Sequence, residues 1–515
     1  MGNSKPQETM LCEDGKITMV GSFDDISPFA KGAAVISLDG ATVLPGFIDP
    51  HSHFSQVASG MTQVSLDGAV NCDDIRRRIQ RFIREHGIKP GEWVLAKDYD
   101  HNTLPNAQHP SLAEIDSFSP GHPLMIQHKS GHMGLFNSAA LTQLGITETT
   151  SSPDGGRIGK TDGRLNGYVE ENAFFFYTKK VPMAGPEQLL QSYREAQQKY
   201  AGYGITTIQE GYFVKEMIPL YQMLLSQNLL RLDLVAYPDV ETFANIRSAY
   251  PDAIHTYQDH FKLGGLKIFL DGSPQGRTAW MRTPYLGGDP NDCGYGTMRD
   301  EDVIKSLELS GKNNAQLLAH CNGDAAAAQL LRCLETVEKE YPQLRALRTV
   351  IIHAQLMGID QLPKAATLGA IASFFVAHVY YCGDIHIKNF GMERASMISP
   401  AASALQVGLP FTFHQDAPVI EPNMLETIWC AVNRKTKSGV LLGADERIST
   451  FDALKAVTVN VAYQYFEEHQ KGTLEPGKRE DLVILDKNPL EVSPETLRDI
   501  QVLKTIKDGV EVYTR

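Results

Sequence analysis

Histidine, lysine and aspartate side chains that could bind a metal ion recur along the chain, each at or near the end of a short apolar segment. The first two are His51 and His53, which follow the apolar run 43–50. Alternate side chains of a strand point to the same side, so these two imidazoles converge. The later candidates are Lys267, His320, His353 and Asp416. Imidazoles and carboxylates are the ligands of catalytic zinc sites, so the pattern indicates one divalent-metal centre built from distant parts of the chain.

Strands must position these side chains, and eight apolar segments of suitable length alternate with helical stretches along the chain. They are residues 44–50, 204–209, 231–236, 263–269, 315–319, 349–352, 370–375 and 409–414. In a parallel (β/α)8 barrel the carboxyl ends of all strands share one rim, where distant residues can meet. The sequence therefore predicts an α/β fold of TIM-barrel type over residues 44–470, with the candidate ligands at that rim.

Two further parts of the fold are predicted outside the barrel strands. Residues 1–43 and 471–515 contain short strand-like segments and predict one small β-sandwich domain formed by both termini. Its strands are expected at 17–20, 33–38, 41–44, 481–486, 502–506 and 509–513. Residues from about 60 to 185 are too many for one βα connection, so we expect an inserted subdomain after barrel strand 1 that covers the rim. It should contain strands at 92–96 and 123–127.

Charge and cysteine content exclude several classes of protein. The chain has 48 Lys and Arg against 61 Asp and Glu, a net charge of -13 that repels phosphate backbones and anionic lipid. Nucleic-acid and membrane partners are therefore not expected. The longest near-continuous apolar stretch, residues 371–382, is too short to span a bilayer, and we expect a soluble cytoplasmic protein. The seven cysteines form no CxxC pair, so neither a disulfide framework nor a thiolate zinc site is predicted.

Four sequence motifs resemble the amidohydrolase superfamily, and more narrowly its YtcJ-like branch, amidohydrolase family 3, which includes N-substituted formamide deformylases. The motifs are Leu-Pro-Gly-Phe-Ile-Asp-Pro-His-Ser-His at 44–53, Gly-Gly-Leu-Lys-Ile-Phe-Leu-Asp-Gly-Ser at 264–273, His-Cys-Asn-Gly-Asp-Ala-Ala at 320–326 and Gly-Thr-Leu-Glu-Pro-Gly-Lys at 472–478. The resemblance extends over residues 15–512. It implies a (β/α)8 barrel with a terminal β-sandwich, a divalent metal centre and hydrolysis of C–N bonds other than peptide bonds.

Lys267 and Asp416 need separate chemical arguments. An ammonium has no lone pair, so Lys267 can bind metal only as the carbamate formed with CO2. The alternative is a buried lysine paired with Asp271, and the spacing alone leaves both open. The resemblance favours the carbamate, which would hold one or two ions, zinc being the first choice and manganese or iron the alternatives. Asp416 would bind metal, take a proton from the bound water and deliver it to the leaving nitrogen.

Four more residues receive site roles from the resemblance. It implies that His378 stabilises the oxyanion, and that His132, Glu171 and Arg277 contact the substrate. For His132 a structural hydrogen bond is equally open, and Glu171 could instead cap a helix. The remaining strand-end histidines are interpreted as hydrogen-bonded scaffold, and they are His101, His109, His122, His128, His386 and His414.

The residues and the resemblance together predict a metal-dependent hydrolase that cleaves an amide-type bond, N-formyl or N-acyl, of a small molecule. A mononuclear, deaminase-like amidohydrolase is the main alternative. It typically lacks a lysine ligand, so Lys267 counts against it. A non-catalytic scaffold of the same fold is less favoured because every candidate ligand is retained. Homodimers are common in the superfamily, and the composition leaves that question open.

Overall fold

The computed structural model describes residues 7–182 and 185–515, and these form two compact units. One unit contains the chain up to residue 55 together with 196–515, and the other contains 56–195. Residues 1–6 of the predicted N-terminal sandwich segment and residues 183–184 of the predicted insertion lie outside the described residues. The insertion expected at about 60–185 falls inside the second unit, and the domain bounds themselves stay predictions.

The strands alternate with helices through most of the chain. The strands are β1 (Thr9–Glu13), β2 (Lys16–Gly21), β3 (Thr42–Pro45), β4 (Phe47–Ile48), β5 (Val64–Ser65), β6 (Val94–Tyr99), β7 (Leu124–His128), β8 (Met133–Phe136), β9 (Gly156–Thr161), β10 (Arg164–Glu171), β11 (Ile205–Phe213), β12 (Asp233–Pro238), β13 (Phe261–Leu263), β14 (Gly265–Phe269), β15 (Gln316–Cys321), β16 (Val350–His353), β17 (Ile371–Phe374), β18 (Phe411–Phe413), β19 (Leu482–Leu485), β20 (Val502–Lys507) and β21 (Val510–Thr514). The helices are α1 (Phe23–Ile26), α2 (Phe54–Met61), α3 (Cys72–Glu85), α4 (Leu112–Phe118), α5 (Ser138–Gln143), α6 (Asn172–Thr178), α7 (Pro186–Gly202), α8 (Ile218–Ser226), α9 (Phe243–Ala249), α10 (Asp300–Asn313), α11 (Asp324–Glu338), α12 (Leu362–Thr367), α13 (His378–Tyr381), α14 (Gly383–Ser396), α15 (Ala401–Gln406), α16 (Met424–Asn433), α17 (Thr450–Lys455) and α18 (Val459–Gln464).

Two parallel sheets form the centre of the first unit. One has the strand order β13-β12-β11-β4 and the other β14-β15-β16-β17-β18. Each of the eight predicted barrel segments overlaps one of these strands, and the fourth segment is divided at Gly264 into β13 and β14. A Cβ atom at Gly264 would meet the Tyr237 and Val235 side chains at 2.6 and 2.7 Å, so this position must be glycine. Within the described ladders β4 and β18 are edge strands, and closure into a barrel stays a prediction.

A four-stranded antiparallel sheet joins the two ends of the chain. Its order is β21-β20-β19-β3, so the N-terminal strand β3 pairs with β19 from the C-terminal segment. Strands β1 and β2 form a separate antiparallel ribbon. The strand expected at 33–38 is wrong: the segment has no regular secondary structure and no ladder, and Val35 and Ile36 are 78% and 77% exposed. β-Branched residues favour strands only where a neighbouring strand can pair with them and bury them.

The second unit contains its own mixed sheet, of order β5-β6-β7-β8-β10-β9. The strands expected at 92–96 and 123–127 correspond to β6 and β7, which pair in parallel. Ile75 and Ile79 of helix α3 pack into the core beneath this sheet, together with Phe118 of α4. The unit therefore has a hydrophobic core of its own. In the described part of the chain, no helix has the length and apolar character needed to cross a membrane.

A buried network of charged side chains links the first residue of β12 to the C-terminal segment. Lys471 lies 2.5 Å from Asp233 and 2.7 Å from Glu467, and Lys507 lies 3.1 Å from Asp233. Glu467 also pairs with the buried Lys262. The two lysines beside Asp233 outweigh the effect of burial and hold the pKa of its carboxyl well below the usual range. Asp233 therefore stays ionised at neutral pH.

Replacing the central lysine of this network should destabilise the protein strongly. Lys471→Met leaves Asp233 and Glu467 short of a positive partner in a buried position, which costs about 3–5 kcal/mol in the free energy of unfolding. Chemical denaturation followed by circular dichroism measures the loss. The matched control is Lys504→Met, which removes an exposed pair with Glu511 and should cost less than about 1 kcal/mol. Equal effects of the two substitutions would contradict this assignment.

Candidate metal centre

The predicted ligands lie at or beyond the carboxyl ends of the parallel strands in the first unit, except Lys267, which is the middle residue of its strand. Lys267 is in β14, His320 is the penultimate residue of β15, and His353 is the last residue of β16. His51 follows β4 by three residues, and Asp416 follows β18 by three. Parallel strands bring their carboxyl ends to one edge, which places these residues together despite their separation in the sequence.

Three imidazoles surround the carboxylate of Asp416. Oδ1 of Asp416 lies 3.6 Å from Nε2 of His51 and 3.4 Å from Nε2 of His53. Nε2 of His353 lies 3.9 Å from the other carboxylate oxygen, Oδ2. All three histidines thus present the same ring nitrogen to one aspartate.

Lys267 and His320 complete the group. Nζ of Lys267 lies 3.3 Å from Nε2 of His51, and Lys267 is 1% exposed. The ring of His320 lies 4.5 Å from the ring of His353, centroid to centroid. The structure therefore brings all six predicted ligands into one connected cluster. Their role as ligands stays a prediction.

The donor set fits a divalent metal ion. Ligand atoms about 2.1 Å from a tetrahedrally coordinated ion are roughly 3.4 Å from one another. The Nε2-to-oxygen distances of 3.4, 3.6 and 3.9 Å are close to that spacing and long for hydrogen bonds. Oδ1 of Asp416 is buried and has no hydrogen-bond partner among the described residues. A buried carboxylate oxygen without a donor is costly, and a cation at this point would satisfy it.

Electrostatics leave these side chains in the forms that bind metal. Burial, and then the charge of Lys267, lower the pKa of His51 well below its usual value, and burial does the same for His353. Both imidazoles are therefore neutral and keep a lone pair. Burial alone raises the pKa of Asp416, but the His53 ring and the neighbouring histidines outweigh it and hold that pKa well below the ordinary range. Asp416 is ionised.

A glutamine that the sequence did not suggest fixes the tautomer of His51. Oε1 of Gln209 lies 2.6 Å from Nδ1 of His51, while its amide Nε2 donates to the carbonyl of Pro50 at 2.6 Å and to the Tyr465 hydroxyl at 2.8 Å. Because the amide nitrogen is used elsewhere, Nδ1–H of His51 donates to Oε1 and Nε2 keeps the lone pair that faces the site. Gln209 ends the predicted strand 204–209, and this strand-end position could have indicated that it lies at the site.

His414 orients a second ligand. Its Nε2 lies 3.0 Å from Nδ1 of His353, and its Nδ1 lies 3.0 Å from Oγ of Ser373. The sequence interpretation of His414 as hydrogen-bonded scaffold agrees with these contacts. His414 also has a more particular role than general scaffold. It contacts the ring nitrogen of His353 that faces away from the site, and such a hydrogen bond sets the orientation and basicity of a ligand histidine.

Removing the His414 ring should weaken metal binding without removing a ligand. His414→Gln is expected to lower metal affinity by roughly 10–100-fold, the usual effect of losing a hydrogen-bonding partner of a ligand histidine. Competition with a chelator of known affinity measures the change. His469→Gln is the matched control, since His469 is exposed. An affinity equal to that of the wild type would show that His414 does not position His353.

Lys267 is not paired with Asp271, which was its alternative partner in the sequence analysis. Among the described residues it forms no ion pair with Asp271. Asp271 instead accepts hydrogen bonds from the backbone N–H groups of Asn322, at 2.9 Å, and Gly323, at 2.7 Å. Burial lowers the pKa of Lys267 to about 7, although Asp416 opposes the shift. The paired-lysine interpretation is therefore not supported by the contacts.

The backbone at two of the predicted ligands is left-handed. His353 has φ 72° and Asp416 has φ 54°, and both side chains face the cluster. A non-glycine residue in this region costs of order 1–3 kcal/mol and persists only where its surroundings hold it. Such strain is concentrated at functional sites, and here it aims the imidazole and the carboxylate at each other.

Two other predicted site residues lie elsewhere in the first unit. His378 is buried, and burial lowers its pKa to about 3. Its ring lies 4.1 Å from the Phe375 ring, which is 5.1 Å from the ring of His414. Arg277 donates to the carbonyl of Leu286 at 3.0 Å and lies 3.3 Å from Asp292. Oxyanion stabilisation by His378 and substrate contact by Arg277 both stay predictions.

His132 and Glu171 belong to the second unit and contact each other. Nδ1 of His132 lies 3.1 Å from Oε2 of Glu171, and the Glu171 N–H donates to the His132 carbonyl at 2.7 Å. Glu171 immediately precedes α6, yet its side chain makes no capping hydrogen bond. Both side chains are exposed. Contact with substrate stays a prediction for this pair.

Comparison with known proteins decides the family. Residues 34–513 match the model of the amidohydrolase family, which is most of the chain. The chain belongs to the amidohydrolase family. This amidohydrolase is 28% identical to the Arabidopsis thaliana protein LONG AFTER FAR-RED 3, over 98% of this chain and 88% of that protein. It is 26% identical to the N-substituted formamide deformylase of Arthrobacter pascens (99% and 95%) and 24% identical to YtcJ of Bacillus subtilis strain 168 (99% and 96%).

A solved structure shows the fold of the amidohydrolase. An uncharacterised metal-dependent hydrolase from Pyrococcus furiosus superposes with a TM-score of 0.76 over 94% of this chain and 95% of the other, at 20% identity. The likeness and the family membership establish a TIM-barrel-like α/β fold. The resemblance to the YtcJ-like branch and to N-substituted formamide deformylases is confirmed by the same comparisons.

Proposed function

We propose that this amidohydrolase hydrolyses the C–N bond of a small amide, of the N-formyl or N-acyl type, at the centre formed by His51, His53, His353 and Asp416. The observation that carries the proposal is the convergence of three imidazole Nε2 atoms on one carboxylate, at 3.4–3.9 Å. The named activity of one relative, N-substituted formamide deformylase, supports the choice of bond. A buried donor set of this kind suits a divalent ion, with zinc the first choice and manganese or iron the alternatives.

Asp416 is the residue that moves the proton in this proposal. Hydrolysis adds the oxygen of water to the carbonyl carbon, breaks the C–N bond and transfers a proton to the leaving nitrogen. The ionised Oδ1 of Asp416 has no hydrogen-bond donor among the described residues, so it can accept a proton from the attacking water. The same carboxyl then donates that proton to the nitrogen, which leaves as an amine. A bound divalent ion would supply Lewis acidity toward the carbonyl and make water a nucleophile at neutral pH.

The histidines hold the donors in place during this cycle. His51 is fixed by Gln209 and His353 by His414, so neither ring must reorient when the ion or the substrate binds. Preorganisation of this kind lowers the cost of reaching the transition state. We further propose that Lys267 contributes as a carbamate. Its amine is buried beside the donor set, burial lowers its pKa to about 7 and so favours the neutral amine that reacts with CO2, and an ammonium cannot act as a ligand.

A substrate screen with metal-defined enzyme tests the function. The full-length protein, stripped with a chelator and reloaded with zinc or manganese, is incubated with formamides, N-acyl amino acids, cyclic amides and lactones. We expect release of an amine and a carboxylic acid from at least one amide, loss of that activity in the stripped enzyme and its return on reloading. The matched variant is His53→Asn, which should lose both metal and turnover.

The same screen separates the other candidate functions. Release of ammonia from an amino-substituted ring, with no amide cleaved, would favour the mononuclear deaminase-like alternative. Absence of stoichiometric metal from the folded protein would favour a non-catalytic scaffold and would overturn the proposal. We also propose a small-molecule amide as the partner and a cytoplasmic location for the protein.

A further inference from the structure

A second group of potential ligands lies outside the centre described above. His378, Cys382 and His386 each offer one ring nitrogen or sulfur, and these three atoms lie within 4.8 Å of one another. The three residues are spaced four apart, and backbone hydrogen bonds continue through them: Cys382 N–H donates to the His378 carbonyl at 2.8 Å and His386 N–H to the Cys382 carbonyl at 2.9 Å. Residues four apart on a helical backbone share one face.

Three of the four ring nitrogens of this group are buried without partners among the described residues. His386 is 0% exposed, and neither of its ring nitrogens has a hydrogen-bond partner among the described residues. Nδ1 of His378 is likewise buried and unsatisfied. Each buried polar group left without a partner costs about 1–3 kcal/mol, so three such nitrogens on one face are an expensive arrangement unless something binds them. Burial also lowers the pKa of His386 to about 4, which leaves the imidazole neutral.

The helix geometry explains how the three side chains can converge. Cys382 has φ -122° and ψ 0°, so it forms a non-helical joint between α13 and α14. Side chains on a helix tilt toward its N-terminus, which directs His386 back toward the joint. The rings of His378 and His386 are 5.7 Å apart and nearly parallel, with the half-buried Cys382 between them in sequence. The joint thus places a thiol between two imidazoles.

We propose that His378, Cys382 and His386 form a second metal site, which binds a borderline-soft cation such as Zn²⁺ through two imidazoles and one thiolate. Two neutral nitrogens and a sulfur are ligands that select zinc or copper(I) over magnesium and calcium. Binding displaces the thiol proton of Cys382 and gives one ring nitrogen of each histidine a partner. The fourth position of a tetrahedral ion stays open for water or another ligand. The site differs from the first centre in its chemistry, since no cysteine is among the donors there.

This inference gives His378 a role other than the oxyanion role implied by the resemblance. A ligand of an ion has its lone pair occupied, and the same nitrogen cannot also donate a hydrogen bond to substrate. Residue spacing alone does not indicate this site. The Cys-x-x-Cys spacing of thiolate zinc sites is absent, and the His-x3-Cys-x3-His spacing brings side chains together only on a helical face.

Cobalt substitution tests the site without using enzyme activity. The metal-free full-length protein is titrated with Co²⁺, and the near-ultraviolet thiolate-to-cobalt charge-transfer band is recorded. We expect the band in the wild type, with a plateau at about one thiolate-bound equivalent per chain, and its loss in Cys382→Ser. Cys293→Ser is the matched control, because Cys293 is also half-buried but belongs to no such group, and it should keep the band. His51→Ala, which disrupts only the first centre, should also keep it.

Two results would overturn the inference. One is a folded wild type that binds cobalt and shows no thiolate band, and the other is a band that survives Cys382→Ser. The first result is obtained with the wild type, so it can contradict the proposal even if a variant misfolds. A second measurement on the wild type is alkylation of Cys382 followed by mass spectrometry, which Zn²⁺ should slow at least tenfold. Equal rates with and without Zn²⁺ would contradict the site even if amide hydrolysis is established.

Discussion

Replacement of Asp416 by asparagine should lower turnover by about a hundredfold or more, while metal content falls much less. The amide keeps an oxygen that can bind a cation, but it cannot accept the proton of the attacking water at neutral pH. General acid–base catalysis contributes roughly 10²–10⁴-fold to such reactions, and Asp416→Asn removes all of it. The expected signature is a large drop in kcat with a modest drop in bound metal.

The geometry explains why turnover and metal binding should separate. Asp416 is approached by Nε2 atoms of His51, His53 and His353, and these three imidazoles remain in the variant. Two of these rings are oriented by partners other than Asp416, since Gln209 contacts His51 and His414 contacts His353. Loss of the negative charge weakens the site, yet most of the donor set stays in place.

Metal analysis and steady-state kinetics on the same preparation measure the two effects. Asp445→Asn is the control, because it removes an exposed carboxylate of the same unit and should change neither quantity. If Asp416→Asn loses metal and turnover in equal proportion, Asp416 acts only as a ligand. Unchanged turnover would remove it from the mechanism altogether.

How far the sequence could predict this site depends on what kind of contact each residue makes. The i, i+2 spacing of His51 and His53 and the strand-end positions of His320 and His353 follow from chain periodicity, which a single sequence contains. Parallel strand order then brings their carboxyl ends to one edge. The proximity of the candidate ligands was therefore predictable from the sequence, and the cluster contains each of them, while their role as ligands stays a prediction.

The hydrogen-bond partners of the candidate ligands could not be predicted from the sequence in the same way. Gln209 and the pair His414–Ser373 reach the ligands across neighbouring or facing strands, and those contacts depend on the register between strands and on rotamers. The segment 33–38 failed for a related reason. Its composition favours a strand, but pairing requires an available edge, and that is a property of the whole fold.

Backbone conformation is a third property that residue types did not reveal. His353 and Asp416 both adopt positive φ, which is uncommon for any non-glycine residue, although aspartate and histidine adopt it more often than most. The strain is balanced by the packing of the strand ends around them. Preferred conformations of the residue types predict the strands that precede these two residues. They do not predict the turns that direct the two side chains.

The substitution Lys267→Ala should lower both bound metal and activity by more than about a hundredfold, and short carboxylic acids should restore part of each. Loss of a hydrogen-bonding partner of a ligand already costs 10–100-fold in metal affinity, and loss of a ligand costs more. Nζ of Lys267 lies 3.3 Å from Nε2 of His51 in a fully buried position, so alanine leaves a cavity beside the donor set. A formate or acetate ion can occupy that cavity and supply the missing carboxylate oxygens.

Rescue by an acid is the step that distinguishes a carbamate from an ammonium. If Lys267 serves as a cation, its replacement removes a repulsive charge from beside His51, metal occupancy stays the same or rises, and added acetate has no effect. If it serves as a carbamate, the wild type should also take up less metal in CO2-depleted buffer. Lys388→Ala, at an exposed position of the same unit, is the control for both measurements. Opposite effects on metal occupancy are thus expected from the two forms of this side chain, because carboxylation of Nζ replaces a positive ammonium with a carbamate whose oxygens carry a negative charge.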